Sequence, residues 1–113
     1  MESLRRLVEQ MYDAIDGNDA DALVELMCPD VIYERPQTAP LHGRDAIKAF
    51  YLHERRIPSG QHTLEHVAID HDCGAAWGAF AGVRTDGAPV TLRFADVFTF
   101  EGGRIRTRRS HIF

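Results

Sequence analysis

The sequence predicts an α+β fold, a cone-shaped roll in which three N-terminal helices pack on a curved, mainly antiparallel sheet. Two observations carry this expectation. Apolar residues recur at helical spacing up to about Arg55, then alternate at strand spacing from His62 onward. The alternating runs are separated by Thr85-Asp86-Gly87 and Gly102-Gly103, which are strong hairpin signals. Helices followed by strands segregate to one face of an antiparallel sheet. A sheet wrapped around helices leaves an open mouth, a natural pocket for a small molecule.

Leu4, Leu7, Val8, Met11 and Ile15 form a single apolar stripe and predict a first helix of about four turns. Asp16-Gly17-Asn18 ends it, with Gly17 expected in the left-handed geometry of a helix stop. Asn18 is the expected cap of a short second helix running through Leu23, Leu26 and Met27, broken by Cys28-Pro29-Asp30. Val31 to Arg35 reads as a short strand closed by Pro36. Residues 36 to 43 read as a rim loop, and Arg44 to about Arg55 as a third helix that buries Ile47, Phe50 and Tyr51. Four strands follow, at His62 to Asp70, Cys73 to Arg84, Pro89 to Glu101 and Arg104 to Phe113.

At 113 residues and 44% apolar content, one domain spanning residues 1–113 with a real core is expected. No apolar run approaches the roughly 20 residues that span a bilayer, so no membrane association is expected. The formal net charge of −4 argues against nucleic acid as a partner. Cys28 and Cys73 are isolated, and the N-terminus opens an amphipathic helix without an apolar signal region. These features predict a cytoplasmic protein with free thiols. Arg104, Arg106, Arg108 and Arg109 cluster at the tail. Arg106 and Arg108 share a strand face opposite to Arg109, so at least one arginine is expected to turn inward.

The strand after Val90 carries the clearest chemical signal. Leu92, Phe94, Asp96, Phe98 and Phe100 alternate onto one face, so a single carboxylate interrupts an otherwise apolar surface. Burying a carboxylate is costly unless it is paired, hydrogen-bonded or protonated. Tyr33 and Arg35 lie two apart and share a face; if that face is the pocket, Arg35 can reach Asp96. An adjacent guanidinium favours the ionised carboxylate and desolvation favours the neutral acid, with opposite chemistry. The presence of Arg35 tips the expectation toward an ionised Asp96, although Arg35 also reads as a solvated rim residue. His62 and His66, four apart, are expected on one strand face, either one a candidate acid/base partner. No histidine pair has the spacing of a zinc site, so no metal is expected. Trp77 stands in a run of small residues, either as a stacking platform for a flat ligand or as core or interface packing.

The segments Asp30 to Pro36, Leu41 to Tyr51 and Arg93 to Phe100 followed by Gly103-Arg104-Ile105, together with the element order, resemble the SnoaL-like and ketosteroid-isomerase-like branch of the nuclear transport factor two-like superfamily. The resemblance covers nearly the whole chain and implies the fold. Function must come from the site, because that superfamily holds isomerases, cyclases, dehydratases, epoxide hydrolases and binders. By resemblance, Asp96 sits where ketosteroid isomerases place an oxyanion-hole aspartic acid. Their general base corresponds to Arg35, which cannot abstract a proton, and their first-helix tyrosine aligns best with Met11, leaving Tyr12 one place off. SnoaL-like cyclases, which use a lone acid without metal or cofactor, fit best.

The resulting expectation is a cofactor-independent isomerase, cyclase or dehydratase acting on an apolar carbonyl compound, whose polyketide- or steroid-like character is what the resemblance implies. Asp96 is the expected acid/base, Arg35 the stabiliser of developing negative charge and Tyr33 a hydrogen-bond donor. Met11, Phe50, Trp77, Leu92, Phe94, Phe98 and Arg108 complete the expected pocket. The other readings are a non-catalytic binding module, with Asp96 and Arg35 as a structural pair, and an epoxide hydrolase. The resemblance also implies a homodimer through the outer face formed by Thr91, Arg93, Ala95, Val97 and Thr99.

Overall fold

Ser3 starts the first helix, α1 (Leu4–Asp16), by accepting the Arg6 amide at 3.1 Å. The computed structural model describes residues 3–55 and 57–113. The buried stripe of α1 is wide, adding Tyr12 and Ala14 to Leu7, Val8, Met11 and Ile15. At its end Asn18, and not Gly17, takes the left-handed conformation (φ 54°). The cap of α2 (Ala20–Glu25) is correspondingly Asp19, which accepts the Ala22 amide at 3.0 Å. That helix stops before Met27 because Met27 already begins strand β1 (Met27–Glu34). Pro29 has no amide to donate, and the pairing of β1 is irregular between Met27 and Ile32. The rim loop contains a two-residue strand, β2 (Leu41–His42), antiparallel to β1. Helix α3 (Arg44–Ala49) then widens into a π turn over Phe50–Glu54.

Strands β3 (Ser59–Asp70), β4 (Cys73–Val83), β5 (Pro89–Glu101) and β6 (Arg104–Ile112) complete a six-stranded sheet in the order β2-β1-β6-β5-β4-β3. Only β1 and β6 run parallel. Gly102 and Gly103 both adopt positive φ, as a tight two-residue hairpin turn requires.

Two extra residues in the sheet decide which side chains enter the interior. Leu64 pairs with Gly78 but His66 with Trp77, so Glu65 is a bulge residue on β3. Thr99 pairs with Thr107 and Phe100 with Ile105, so Arg106 is the extra residue on β6. Each bulge reverses the alternation beyond it. His62, Leu64, Val67 and Ile69 therefore share the inner side while His66 turns outward, its ring 5.1 Å from Trp77. The expectation that His62 and His66 share a face fails for this reason. On β6, Ile105, Arg108 and Ser110 turn inward, and Arg106 stays near the surface with Asp30 and Glu101.

The helices cover the inner face, and Val8, Met11, Met27, Val31, Ile47 and Ile105 are wholly buried between the layers. Burying one such side chain contributes about 1.5–3 kcal/mol. Cys28 is buried and Cys73 exposed, and neither is bonded to another cysteine. No helix among the described residues is long and apolar enough to cross a membrane.

Candidate functional site

One end of the interior is left open as a cavity of about 280 Å³. Its apolar wall includes Ile15, Phe50, Phe80, Leu92 and Phe94, and its polar groups include Tyr33, Arg35, Tyr51, Glu54, Arg55, His62, Asp96, Arg108 and Ser110. Of the residues expected from the sequence, the structure brings Tyr33, Arg35, Phe50, Leu92, Phe94, Asp96 and Arg108 to this cavity.

Trp77, Phe98 and Met11 are not on its wall. Trp77 pairs with Ala95 and so points to the outer side of the sheet, where it is 38% exposed. Phe98 alternates inward as expected but stacks on Phe100 in the closed end of the core, with ring centroids 5.9 Å apart. Met11 is packed away completely, and its neighbour Tyr12 takes the place expected of it. One residue advances a helix by only 100°, and the buried stripe of α1 is wide enough to hold both side chains.

Asp96 lies at the cavity floor and is 2% exposed. Its Oδ2 accepts from the Tyr12 hydroxyl at 2.5 Å and from Arg108 Nε and Nη2 at 3.3 and 3.1 Å, and its Oδ1 accepts from Ser110 Oγ at 2.5 Å. Four donors around one carboxyl group are the surroundings of a carboxylate. The expected partner, Arg35, makes no hydrogen bond to Asp96; the bulge at Arg106 supplies Arg108 instead. Arg108 is itself buried. Burial works against its charge, but Asp96 and the surrounding tyrosines outweigh that and hold its pKa well above the ordinary value. Its guanidinium lies 4.3 Å from the Tyr33 ring centroid and donates through Nη1 to the Tyr51 hydroxyl at 2.8 Å. Tyr33 and Ser110 exchange a 2.7 Å hydrogen bond, so one network runs from α1 through β5 and β6 to β1 and the π turn. Burial above all pushes the Tyr12 and Tyr33 hydroxyls far up, leaving both protonated at any physiological pH.

A second polar pair has one member, His62, on the cavity wall and the other, Asp16, behind it. Asp16, the last residue of α1, accepts the His62 amide on Oδ2 at 2.8 Å and the His62 ring Nδ1 on Oδ1 at 2.6 Å. Because the carboxylate only accepts, Nδ1 carries the proton and Nε2 keeps its lone pair. No described residue hydrogen-bonds Nε2. The ring sits among Phe80, Tyr12 and Phe94, with centroids 4.7, 5.0 and 5.1 Å away. Burial lowers the His62 pKa below the ordinary value although Asp16 pulls the other way, so the ring is neutral at pH 7.

Sequence reasoning gave no role to Asp16, Ser110 or Arg55 and put Tyr12 aside. Ser110 was legible as the i+2 neighbour of Arg108 on one strand face. Asp16 was not, because its partner lies 46 positions away across the fold. Among the described residues, no group of three or more His, Cys, Asp or Glu side chains is placed to hold a metal ion.

A curved, mainly antiparallel sheet with helices on its concave side and a polar cavity at the open end is the fold of nuclear transport factor two-like proteins. A protein of unknown function from Burkholderia pseudomallei K96243 shares this fold with a TM-score of 0.90, at 23% identity over 100% of this chain and 92% of that one. TerC, co-crystallised with polyporic acid, gives a TM-score of 0.88 at 17% identity, over 97% of this chain and 91% of that one. A candidate SnoaL-like polyketide cyclase from Jannaschia sp. CCS1 gives 0.82 at 20% identity, over 96% and 84% of the two chains. Residues 8–108 match the SnoaL-like domain, and the chain belongs to that family.

Proposed function

We propose that the protein is a cofactor-independent acid/base catalyst that acts on a small, largely apolar carbonyl compound by isomerisation, cyclisation or dehydration. The observation that carries this is His62, held in one tautomer by Asp16 on the wall of a cavity whose floor is the buried Asp96–Arg108 network. The candidate polyketide cyclase from Jannaschia and the polyporic acid bound by TerC support the substrate class.

In this reading His62 Nε2 removes a proton from the carbon next to the carbonyl. A neutral imidazole is the required form, and burial keeps it neutral. Negative charge then develops on the carbonyl oxygen. Tyr51 meets it, since its oxygen already accepts from Arg108 and its own proton is left to donate. Arg108 uses three N–H groups on Asp96 and Tyr51 and keeps two more for the same oxygen. Such donors, held in place before the reaction, act strongly in an apolar enclosure. The imidazolium, stabilised by Asp16, returns the proton to another carbon, to a departing hydroxyl, or to the alkoxide of an aldol closure. Asp96, the acid/base expected from sequence, here holds Arg108, and Tyr33 holds Ser110.

Turnover of aromatic ketones, polyketide fragments, steroid enones and epoxides by wild type, His62→Gln and Asp96→Asn tests the assignment. Loss of about 10²–10⁴-fold in a folded His62→Gln protein is the expected result. Retained turnover in His62→Gln, with loss in a folded Asp96→Asn protein, returns the base to Asp96. Ligand-induced stabilisation without turnover of any compound would make the protein a binding module.

We also propose a homodimer through the outer sheet face. Trp77 and Val97 are exposed there beside Ala95, and the helices occupy the opposite side.

A further inference from the structure

Two guanidinium groups at the cavity are unused by the network on its floor. Arg35, the residue after β1, lies with its Cζ 4.6 Å from the Phe50 ring centroid and 5.9 Å from that of Tyr33. It makes no hydrogen bond to any described residue, and its Nε is buried without a partner. Arg55 follows the π turn with its Cζ 5.4 Å from the Tyr51 ring centroid. Its hydrogen bonds go to two neutral acceptors, the Ile15 carbonyl at 3.5 Å and Asn18 Oδ1 at 3.3 Å. The two supporting rings, Phe50 and Tyr51, meet edge to face at 5.2 Å, so both cations stand on one aromatic step.

The charge of the cavity runs against that of the chain. Asp96 is matched by Arg108, Asp16 lies behind the lining where it binds His62, and the other acid on the wall itself, Glu54, is exposed and forms no ion pair among the described residues. On the lining itself Arg35, Arg55 and Arg108 outnumber Asp96 and Glu54, in a protein whose formal net charge is −4. Burial above all lowers the Arg55 pKa and the charges of Arg35 and Arg108 add to this, while Tyr51 and Asp16 pull the other way. A wholly apolar ligand would cover the Arg35 guanidinium without giving its N–H groups an acceptor. A planar carboxylate offers two oxygens to a guanidinium fork.

We infer that the substrate is an anion: a carboxylic acid carried on an aromatic ketone, its carboxylate held by Arg35 and Arg55 while its carbonyl lies toward Tyr51 and Arg108. The orientation of the carbonyl rests on the acid/base reading above; the charge preference does not. A cavity of about 280 Å³ lies just below the roughly 300–1,000 Å³ range of ligand pockets, which suits a one- or two-ring acid better than a four-ring steroid.

The test uses 4-oxo-4-phenylbutanoate and its methyl ester as matched probes. Their dissociation constants are measured by calorimetry, and deuterium uptake next to the ketone is followed by NMR in D₂O. The acid is expected to bind at least tenfold more tightly than the ester, about 1.4 kcal/mol, and the preference to shrink as salt is raised. In Arg35→Gln the acid-to-ester ratio should fall to within about threefold, and Arg35→Lys should restore part of it. Equal binding of acid and ester, a ratio unchanged in Arg35→Gln, or binding of neither compound by the folded protein overturns the inference. Deuterium uptake reports on the other reading separately. Catalysed exchange with equal affinities keeps the acid/base chemistry and removes the anion site, whereas acid preference without exchange does the reverse.

Discussion

Replacing Asp96 by Asn removes one charge from the Asp96–Arg108 pair and changes little in shape. The side chains of the pair are 2% and 5% exposed, so water cannot take over the role of the lost carboxylate. Breaking a buried pair by removing one partner costs about 3–5 kcal/mol, mostly the penalty of an uncompensated buried cation. The new amide group also faces the Tyr12, Ser110 and Arg108 donors, of which its single oxygen cannot satisfy all four bonds. A domain of this size has a total stability of about 5–15 kcal/mol, so the loss is a large share of it. At about 4 °C per kcal/mol, the melting temperature should fall by roughly 12–20 °C. Urea unfolding gives the free energy directly. The second variant that isolates the charge effect is Asp96→Asn combined with Arg108→Met, which removes both charges and should recover at least about 2 kcal/mol relative to Asp96→Asn alone. A loss below about 1 kcal/mol in Asp96→Asn, or no recovery in the double variant, would refute the claim that Arg108 depends on this carboxylate.

The His62 pKa gives a pH dependence with a definite sign. Unfolded His62 titrates near about 6.5 and the folded residue lower, so below that pH the folded state binds fewer protons than the unfolded one. Stability is therefore complete above about pH 6.5 and declines on acidification; the extra decline should be absent in His62→Gln when urea midpoints at pH 7.5 and 5.5 are compared. The acid limb of kcat/KM should likewise fall below pH 6.5, and Asp16→Asn should move it lower still, since Asp16 raises the His62 pKa; an unmoved limb would exclude His62 as the titrating base. Gly78 lies under the Thr63 carbonyl where the bulge brings β3 against β4, and an added Cβ would collide with that backbone oxygen. Gly78→Ala should cost about 1–3 kcal/mol in urea unfolding, whereas an unchanged midpoint would mean that the bulge can shift freely. Trp77→Asp with Val97→Asp should convert a dimer to a monomer in sedimentation equilibrium without altering the circular dichroism; an unchanged mass would move the interface elsewhere.

The sequence by itself determined the architecture and the location of its unusual acid. Helical spacing up to Arg55 and strand spacing after His62 gave the α+β roll. Strict alternation from Leu92 to Phe100 placed Asp96 on the inner face with Phe94 and Phe98. These are local properties, since the period of the backbone decides which side chains share a face. The hairpin turns at Asp86-Gly87 and Gly102-Gly103 were legible for the same reason, the chemistry of positive φ residing in the residues themselves.

Tertiary structure alone decided the partners. Arg108, not Arg35, faces Asp96 because one extra residue, Arg106, changes the phase of β6. His62 and His66 part company because Glu65 does the same to β3. A bulge depends on how two strands settle against each other, and neither Arg106 nor Glu65 carries a mark of it in the sequence. Tyr12 reaches Asp96 across 84 positions and Asp16 reaches His62 across 46. Those pairings arise only when α1 is laid on the sheet, at an angle set by the summed packing of the core rather than by any short segment. The alternation of one strand announced a buried charge; the identity of its counter-ion, and of the histidine beside it, came from contacts between elements far apart in the chain.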